Sequence, residues 1–154
     1  MAASPLAQIG EELVKIHEFL ALLLQEQELL ARGNTEALLT LVDSKTALTN
    51  QLGEFVLKRE TQLRSLGLPS GRTGVQDWLD RAGSPADRLQ WQELIDLATR
   101  MRALNESNGK LINLHLQHNQ QAFNALMVAS KRAMTYGPDG QQHAGLSGRI
   151  LGKA

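Results

Sequence analysis

Two histidines, His115 and His118, are the residues whose spacing best suits metal binding. Because they are three positions apart on a helix, they share one face, and this spacing is compatible with two zinc ligands. A closed site needs further ligands, yet Asn119 and Gln121 are poor ones and the nearest acid in sequence is Glu106. We therefore expect both imidazoles to be hydrogen-bonded where helices pack, with no metal or cofactor.

Paired acids are the other candidates for chemistry. Glu11 with Glu12, and Asp77 with Asp80, could act as acid and base. Both pairs fall where helices are expected to begin, and the helix dipole favours acids there. The chain has no cysteine, and no serine, threonine or lysine stands in a recognisable nucleophile or phosphate-loop motif. The sequence predicts a protein that is not an enzyme.

Composition limits the class of protein further. The 154 residues suit one domain, and their formal net charge of zero gives no electrostatic case for binding nucleic acid. The sequence contains no run of eighteen apolar residues, the length expected of a membrane-spanning helix. Its N-terminus lacks the features of a signal peptide. We expect a cytoplasmic chain without membrane insertion.

The elements that position these residues are predicted to be helices, because Leu and Ala dominate the apolar residues and aromatics make up only 4%. A first helix over residues 5–32 carries an apolar seam at spacings of three and four: Leu6, Ile9, Leu13, Ile16, Leu20, Leu23 and Leu30. Gly33 ends it, and a second helix over 35–66 follows with Lys45 and Arg59 interrupting its inner face. So short a connection predicts an antiparallel hairpin.

The rest of the chain is predicted to complete an all-α, elongated, antiparallel bundle. Glycines and prolines in residues 67–84 indicate turns around a short helix at about 74–81. Ser84 and Pro85 then begin a long third helix over 85–135, which could kink near Gly109. We expect a bundle over residues 1–136 and a flexible tail over 137–154, so truncation after about Thr135 should leave the bundle folded.

Asn105 and Asn108 are polar positions within the third helix's apolar seam. A buried asparagine lowers stability but fixes the register of packed helices, and this accounts for Asn108. The alternative is that the pair contacts a ligand.

The second half of the third helix has more apolar residues than one seam requires. They include Ile112, Leu116, Phe123, Leu126, Met127 and Met134. Methionine adapts to varied partners, so this surface could be a partner-binding groove. It could equally pack on the second helix or on a second copy of the chain. In the tail, Ile150 and Leu151 form a small apolar patch beside basic residues.

Two motifs in this region resemble those of a known family. Leu104-Asn105-Glu106-Ser107-Asn108-Gly109-Lys110-Leu111-Ile112 is followed by Tyr136-Gly137-Pro138-Asp139-Gly140-Gln141. Together with the helical layout, they resemble the FlgN family of flagellar export chaperones. The family-like positions are Asn105, Asn108, Gly109, Leu111, Gly137, Asp139 and Gly140.

The resemblance implies a cytoplasmic chaperone of the flagellar type III export system. Its partners would be the C-terminal helices of hook–filament junction proteins, which it would keep from premature assembly, and the export gate. Client binding would fall to the C-terminal part, at Ile112, Leu116, Phe123, Leu126, Met127, Met134, Ile150 and Leu151. Tyr136 would dock at the gate. The alternative is a structural coiled-coil subunit that self-associates through the stripe from Ile112 to Met134, whereas weak self-association is compatible with the chaperone.

Overall fold

A computed structural model describes residues 4–116 and 120–139, and within these ranges it is all-helical. Its helices are α1 (Ile9–Arg32), α2 (Thr35–Thr40), α3 (Val42–Ser65), α4 (Gly71–Ala82), α5 (Pro85–Leu116) and α6 (Gln120–Met134). The predicted all-α bundle is confirmed. No helix in the described ranges has the length and apolarity needed to cross a bilayer.

The reversal between α1 and α2 follows the predicted signals. Gly33 has a φ of 67°, a left-handed conformation that glycine adopts without strain. The side chain of Asn34 then accepts a hydrogen bond of 3.1 Å from the backbone of Ala37 and caps α2. These two residues turn the chain back on itself, so α3 runs antiparallel to α1.

The predicted second helix, 35–66, is in fact two helices. Leu41 separates α2 from α3, and its N–H bonds to the carbonyl of Leu38 at 3.0 Å, the i→i−3 pattern of a tighter turn. Leu38 and Leu41 are both buried. Both leucines stay inside across this break, which periodicity alone does not show.

The connection to α5 matches its predicted cap. The N–H of Ser84 donates to Asp87 Oδ2 at 2.8 Å, and the N–H of Asp87 donates to Ser84 Oγ at 3.1 Å. This reciprocal pair satisfies two free backbone donors at the start of α5. The short helix predicted at 74–81 is the longer α4, which begins at Gly71.

The predicted single helix over 85–135 is wrong. The structure has α5 and α6, and they pack against each other in antiparallel directions: Asn105 pairs with Ser130, and Ile112 lies in one cluster with Leu126. The apolar residues beyond the first seam explain the difference, because they let α6 bury a face of its own. Helix α5 continues through Gly109.

Four long helical segments enclose the core of the bundle. Helix α1 packs on α3 and α5, and α6 packs on the same two helices. The short helix α2 contacts α1, α3 and α6. The main core gathers buried residues from α1, α3, α4, α5 and the end of α6. A separate distal core consists of Leu30, Leu38, Ile112 and Leu126.

The predicted boundary between bundle and tail also needs correction. Tyr136 belongs to the main core, and Gly137 and Pro138 are buried as well. The described chain therefore stays on the bundle through Asp139, three residues into the predicted flexible tail. Residues 140–154, including Gly140, Ile150 and Leu151, lie outside the described ranges.

Candidate partner-binding site and its buried polar clusters

A buried ion pair joins the four long helices in the middle of the bundle. Lys45 Nζ lies 3.1 Å from both carboxylate oxygens of Glu26 and donates to Ser130 Oγ at 2.8 Å. Asn108 Nδ2 donates to Glu26 Oε1 and to the carbonyl of Leu23, both at 2.9 Å. We call Glu26, Lys45, Asn108 and Ser130 the Glu26 cluster. Since its members come from α1, α3, α5 and α6, it fixes the register of all four.

The environment of Lys45 disfavours an isolated charge. Burial lowers the pKa of Lys45 below its ordinary value of 10.5, and the charge and hydrogen bonds of Glu26 oppose that shift. Both side chains are fully shielded from solvent. The ammonium group therefore depends on Glu26, and either residue alone would be a buried, uncompensated charge.

The Glu26 cluster divides the apolar interior in two. On α1, Glu26 lies between Leu23 of the main core and Leu30 of the distal core. The same order holds on α5 and α6, where Asn108 lies between Met101 and Ile112 and Ser130 lies between Leu126 and Ala133. On α3, Lys45 lies between Leu52 of the main core and Val42, which packs against the distal core. Asn105, also fully buried, adds a bond of 2.9 Å from its Nδ2 to the carbonyl of Ser130. A polar layer thus interrupts apolar packing across the whole bundle.

Two amide oxygens in this layer have no partner within the described part of the chain. They are Oδ1 of Asn105 and Oδ1 of Asn108. A buried acceptor without a donor lowers stability. The predicted register role of Asn108 is consistent with its contacts, although this layer holds the helices together at some energetic cost.

A second buried ion pair lies toward the end of the bundle opposite the distal core. Arg59 Nη1 and Nη2 lie 2.6 and 3.1 Å from the two oxygens of Glu12, a bidentate arrangement. Tyr136 OH donates to Glu12 Oε2 at 2.9 Å, and Arg59 Nη2 donates to the carbonyl of Pro138 at 3.1 Å. The guanidinium also lies 5.2 Å from the ring centre of Trp91, within cation–π range. We call Glu12, Arg59, Tyr136 and Pro138 the Glu12 cluster.

Sequence reasoning missed both ion pairs, although a signal for them exists. From the sequence alone, the helix dipole accounts for Glu12, and Lys45 and Arg59 interrupt an apolar seam. Glu12 and Glu26 are two heptads apart on α1, and Lys45 and Arg59 are two heptads apart on α3. In an antiparallel hairpin, the register that forms one pair therefore forms the other.

Tyr136, the predicted gate-docking residue, is buried, with only 5% of its surface exposed. The edge that remains lines a cleft of about 470 Å³ between α3 and the end of α6, together with Gly53, Leu57 and Arg132. In this conformation the ring belongs to the Glu12 cluster. A partner that recognises Tyr136 would meet only its edge through the cleft, and would reach the whole ring only after the cluster opens.

We expect Tyr136 to make the bundle sensitive to alkaline pH. Burial and then the neighbouring Glu12 carboxylate raise its pKa well above the ordinary value of 10.0, against the smaller effects of Arg59 and Arg102. Below pH 10 the stabilisation is complete. Above it the unfolded state loses the phenol proton while the folded state keeps it, so the free energy of unfolding falls by up to about 1.4 kcal/mol per pH unit.

Urea unfolding between pH 10.5 and about 11.5 measures this effect. Lys45 has the opposite sign: its lowered pKa makes stability rise with pH only until its unfolded value of 10.5, so it does not mask the decline above that pH. Tyr136→Phe should remove most of the decline. A variant that declines as steeply as the natural chain would assign it to other groups.

The predicted client-binding residues that the structure describes are largely inside the bundle. Ile112 and Leu126 are fully buried in the distal core, and Met127 is half-buried against it. Met134 is half-buried further along α6. The side chains of Leu116 and Phe123, and all of Ile150 and Leu151, lie outside the described residues. Ile112 and Leu126 thus follow the alternative in which the extra apolar residues pack within the chain.

The remaining motif positions surround this region. Leu111 packs against the distal core, while a Cβ at Gly109 would meet open space. Asp139 passes close to Gly71, where a Cβ would collide with its carbonyl oxygen. His118 lies outside the described ranges, and within them no group of three or more His, Cys, Asp or Glu residues could hold a metal ion.

Comparison with known proteins identifies the family of this chain. The family model described as "FlgN protein" matches residues 1–144. The chain belongs to the FlgN family. It is 27% identical over 147 residues to "Flagella synthesis protein FlgN" of Yersinia enterocolitica, covering 94% of this chain and 93% of that protein. It is 27% identical over 145 residues to the protein of the same name from Proteus mirabilis, covering 91% of each. No solved structure matches this FlgN-family chain significantly.

Proposed function

We propose that this chain acts in flagellar synthesis as a cytoplasmic export chaperone of the type III system. It would bind the C-terminal helical region of hook–filament junction proteins, prevent their premature assembly and deliver them to the export gate. Its FlgN-family membership, and relatives named as flagella synthesis proteins over nearly their whole length, support the flagellar part.

The observation that carries the chaperone proposal is the position of the described client-binding candidates. Ile112 of α5 meets Leu126 and Met127 of α6 at the distal core, beyond the Glu26 cluster. An amphipathic helix binds a groove through apolar residues at successive turns, and the distal core is lined by such residues. One end of the bundle thus concentrates the apolar side chains that a client helix would pair with.

A non-enzymatic role agrees with how the chain uses its buried charged groups. Glu12, Glu26, Lys45 and Arg59 are all engaged in ion pairs that join helices. Their geometry serves to hold a bundle in register. Client release would then depend on competition between partners.

The proposed gate-docking role of Tyr136 needs a conformational step. With its ring in the main core and its hydroxyl bonded to Glu12, Tyr136 presents little more than an edge to the cleft between α3 and α6. We infer that the gate contacts this cleft first. Loss of the bonds to Glu12 would then expose the ring.

Size-exclusion chromatography with light scattering tests the proposed function. The full chain is mixed with the C-terminal fragment of a junction protein, and a matched fragment has its apolar stripe replaced by serine and asparagine. We expect a stoichiometric complex with the first fragment and none with the second. A stable oligomer of the chain alone that binds neither fragment would instead support the structural coiled-coil subunit.

A further inference from the structure

The cleft between α3 and the end of α6 is an open recess on the surface of the bundle. Its volume is about 470 Å³, and its lining includes Gly53, Val56 and the edge of Tyr136. A Cβ at Gly53 would meet no atom within 4 Å, so packing within the chain does not require glycine there. Glycine in the interior of a helix lowers stability. Gly53 therefore weakens α3 while it keeps the recess open.

An apolar side chain protrudes beside this recess. Leu57 lines the cleft on the α3 side, yet 69% of its surface is exposed. It follows Gly53 by four residues, about one helical turn, so the protruding leucine and the recess lie on the same face of α3. Thr49, which also lines the cleft, precedes Gly53 by the same interval. This face therefore carries both an apolar projection and a recess that could receive one.

Two copies of this face are complementary when two α3 helices cross in antiparallel directions at Gly53. Leu57 of each copy, four residues after the crossing point, then faces Thr49 of the other copy, four residues before it. A two-fold axis makes the same contact twice, so both leucines enter a recess. One surface thus supplies both halves of the contact.

The charges at the edges of the cleft suit the same arrangement. Glu54 is exposed on the α3 side, and Arg132 is exposed on the α6 side. Helices α3 and α6 run in the same direction, because their buried contacts follow the same order along both. A second α3 lying antiparallel in the cleft brings its Glu54 toward Arg132 of the first copy, and symmetry repeats the pair. A formal net charge of zero adds no general repulsion between copies.

We propose that the cleft between α3 and α6 is the contact surface of a two-fold dimer of this chain. Leu57 of each copy occupies the cleft of the other, and Glu54 faces Arg132. One cleft and its edges form a small surface beside the roughly 1,200–2,000 Å² that stable interfaces bury, so the dimer is weak and dissociates on dilution. The proposed gate contact uses the same cleft, so a paired chain would be closed to the gate; only this consequence rests on the proposed function.

Sedimentation equilibrium of the full chain alone, over a range of concentrations, measures the dimer. We expect Leu57→Ser to raise the dimer Kd at least about 100-fold, because the burial of a leucine is lost twice in each dimer. Leu89→Ser is the matched control: Leu89 is 74% exposed on α5, outside the cleft, and its replacement should leave the Kd unchanged. Both leucines are exposed, so neither change disturbs the core.

Charge reversal tests the orientation of the two copies. Glu54→Arg and Arg132→Glu should each raise the Kd at least roughly tenfold, because each places like charges opposite one another twice. A mixture of the two variants should pair again, since each chain then carries the charge that the other lacks. A mixture that stays as weak as its components would overturn this arrangement.

Gly53→Leu separates the dimer contact from folding. Leucine favours a helix more than glycine does, and its Cβ has space, so the urea midpoint should not fall. The added side chain fills the recess, so the Kd should rise at least roughly tenfold. A variant that folds stably and pairs as the natural chain does would show that no second copy occupies the recess.

The remaining outcomes also decide the inference. A natural chain that is monomeric at every concentration would overturn it, as would a dimer that Leu57→Ser leaves intact. Loss of junction-protein fragment binding in Leu57→Ser, with no change in self-association, would assign the cleft to a client helix instead. These measurements on the chain alone need neither client nor gate, so their failure leaves the chaperone function standing, and the mixing experiment with the fragment tests that function separately.

Discussion

Lys45→Met should destabilise the bundle by about 3–5 kcal/mol, the range measured when one partner of a buried ion pair is removed. The variant keeps a side chain of similar length but leaves the carboxylate of Glu26, which is fully buried, without its cation. Ser130 Oγ also loses its bond from Lys45. Urea unfolding followed by circular dichroism gives the change in free energy, with the slope m checked for constancy.

Two further variants make this result interpretable. Lys110→Met removes a lysine that faces Glu106 at 3.9 Å on the exposed side of α5, and we expect almost no change because exposed pairs contribute little. The double variant Glu26→Leu with Lys45→Met should recover much of the lost stability, since it leaves no uncompensated charge. If Lys45→Met costs no more than Lys110→Met, the buried pair does not hold the helices.

Turn and capping residues were sufficient to predict the parts of the fold that depend on local signals. Gly33 and Asn34 mark the reversal between α1 and α2, and the Ser84–Asp87 cap begins α5, because the residue types at these positions satisfy backbone groups close by in sequence. Each of these features depends only on residues within the turn itself. Such features can be predicted from single residues.

The reversal between α5 and α6 depends on distant contacts. The sequence has no glycine or proline between Leu116 and Gln120, and apolar residues recur on both sides, so local preference favours one continuous helix. What favours two helices is the burial of Leu126 against Leu30 and Leu38, which are far away in the chain. Propensity was overridden by tertiary packing.

The exposure of the candidate residues could not be predicted from the sequence. Residue type and position suggest client binding for Ile112, Leu126 and Met127, whereas the structure has them as packing partners inside the bundle. The motif singles out Tyr136, but the bond from Tyr136 to Glu12 depends on a register between α1 and α6 that the motif does not contain. Residue types indicate which side chains matter, whereas exposure is a property of the assembled fold.

Truncation after Thr135 should lower the free energy of unfolding by at least about 3–5 kcal/mol, the usual effect of deleting a buried aromatic side chain. The sequence alone predicts little effect, because the residues beyond it add nothing to the apolar seam. The structure reverses that expectation: the shortened chain loses Tyr136 from the main core and the Pro138 carbonyl that Arg59 contacts.

The matched truncation ends at Asp139 and keeps every one of those contacts. It should unfold at nearly the same urea concentration as the full chain, while the chain ending at Thr135 unfolds at a much lower one. Because both truncations retain Glu12 and Arg59, which pair in the full chain, the difference between them measures what residues 136–139 contribute to the closed end of the bundle. Equal midpoints for the two would mean that these residues contribute little to the closed end, and the gate docking proposed for Tyr136 would then need no conformational step.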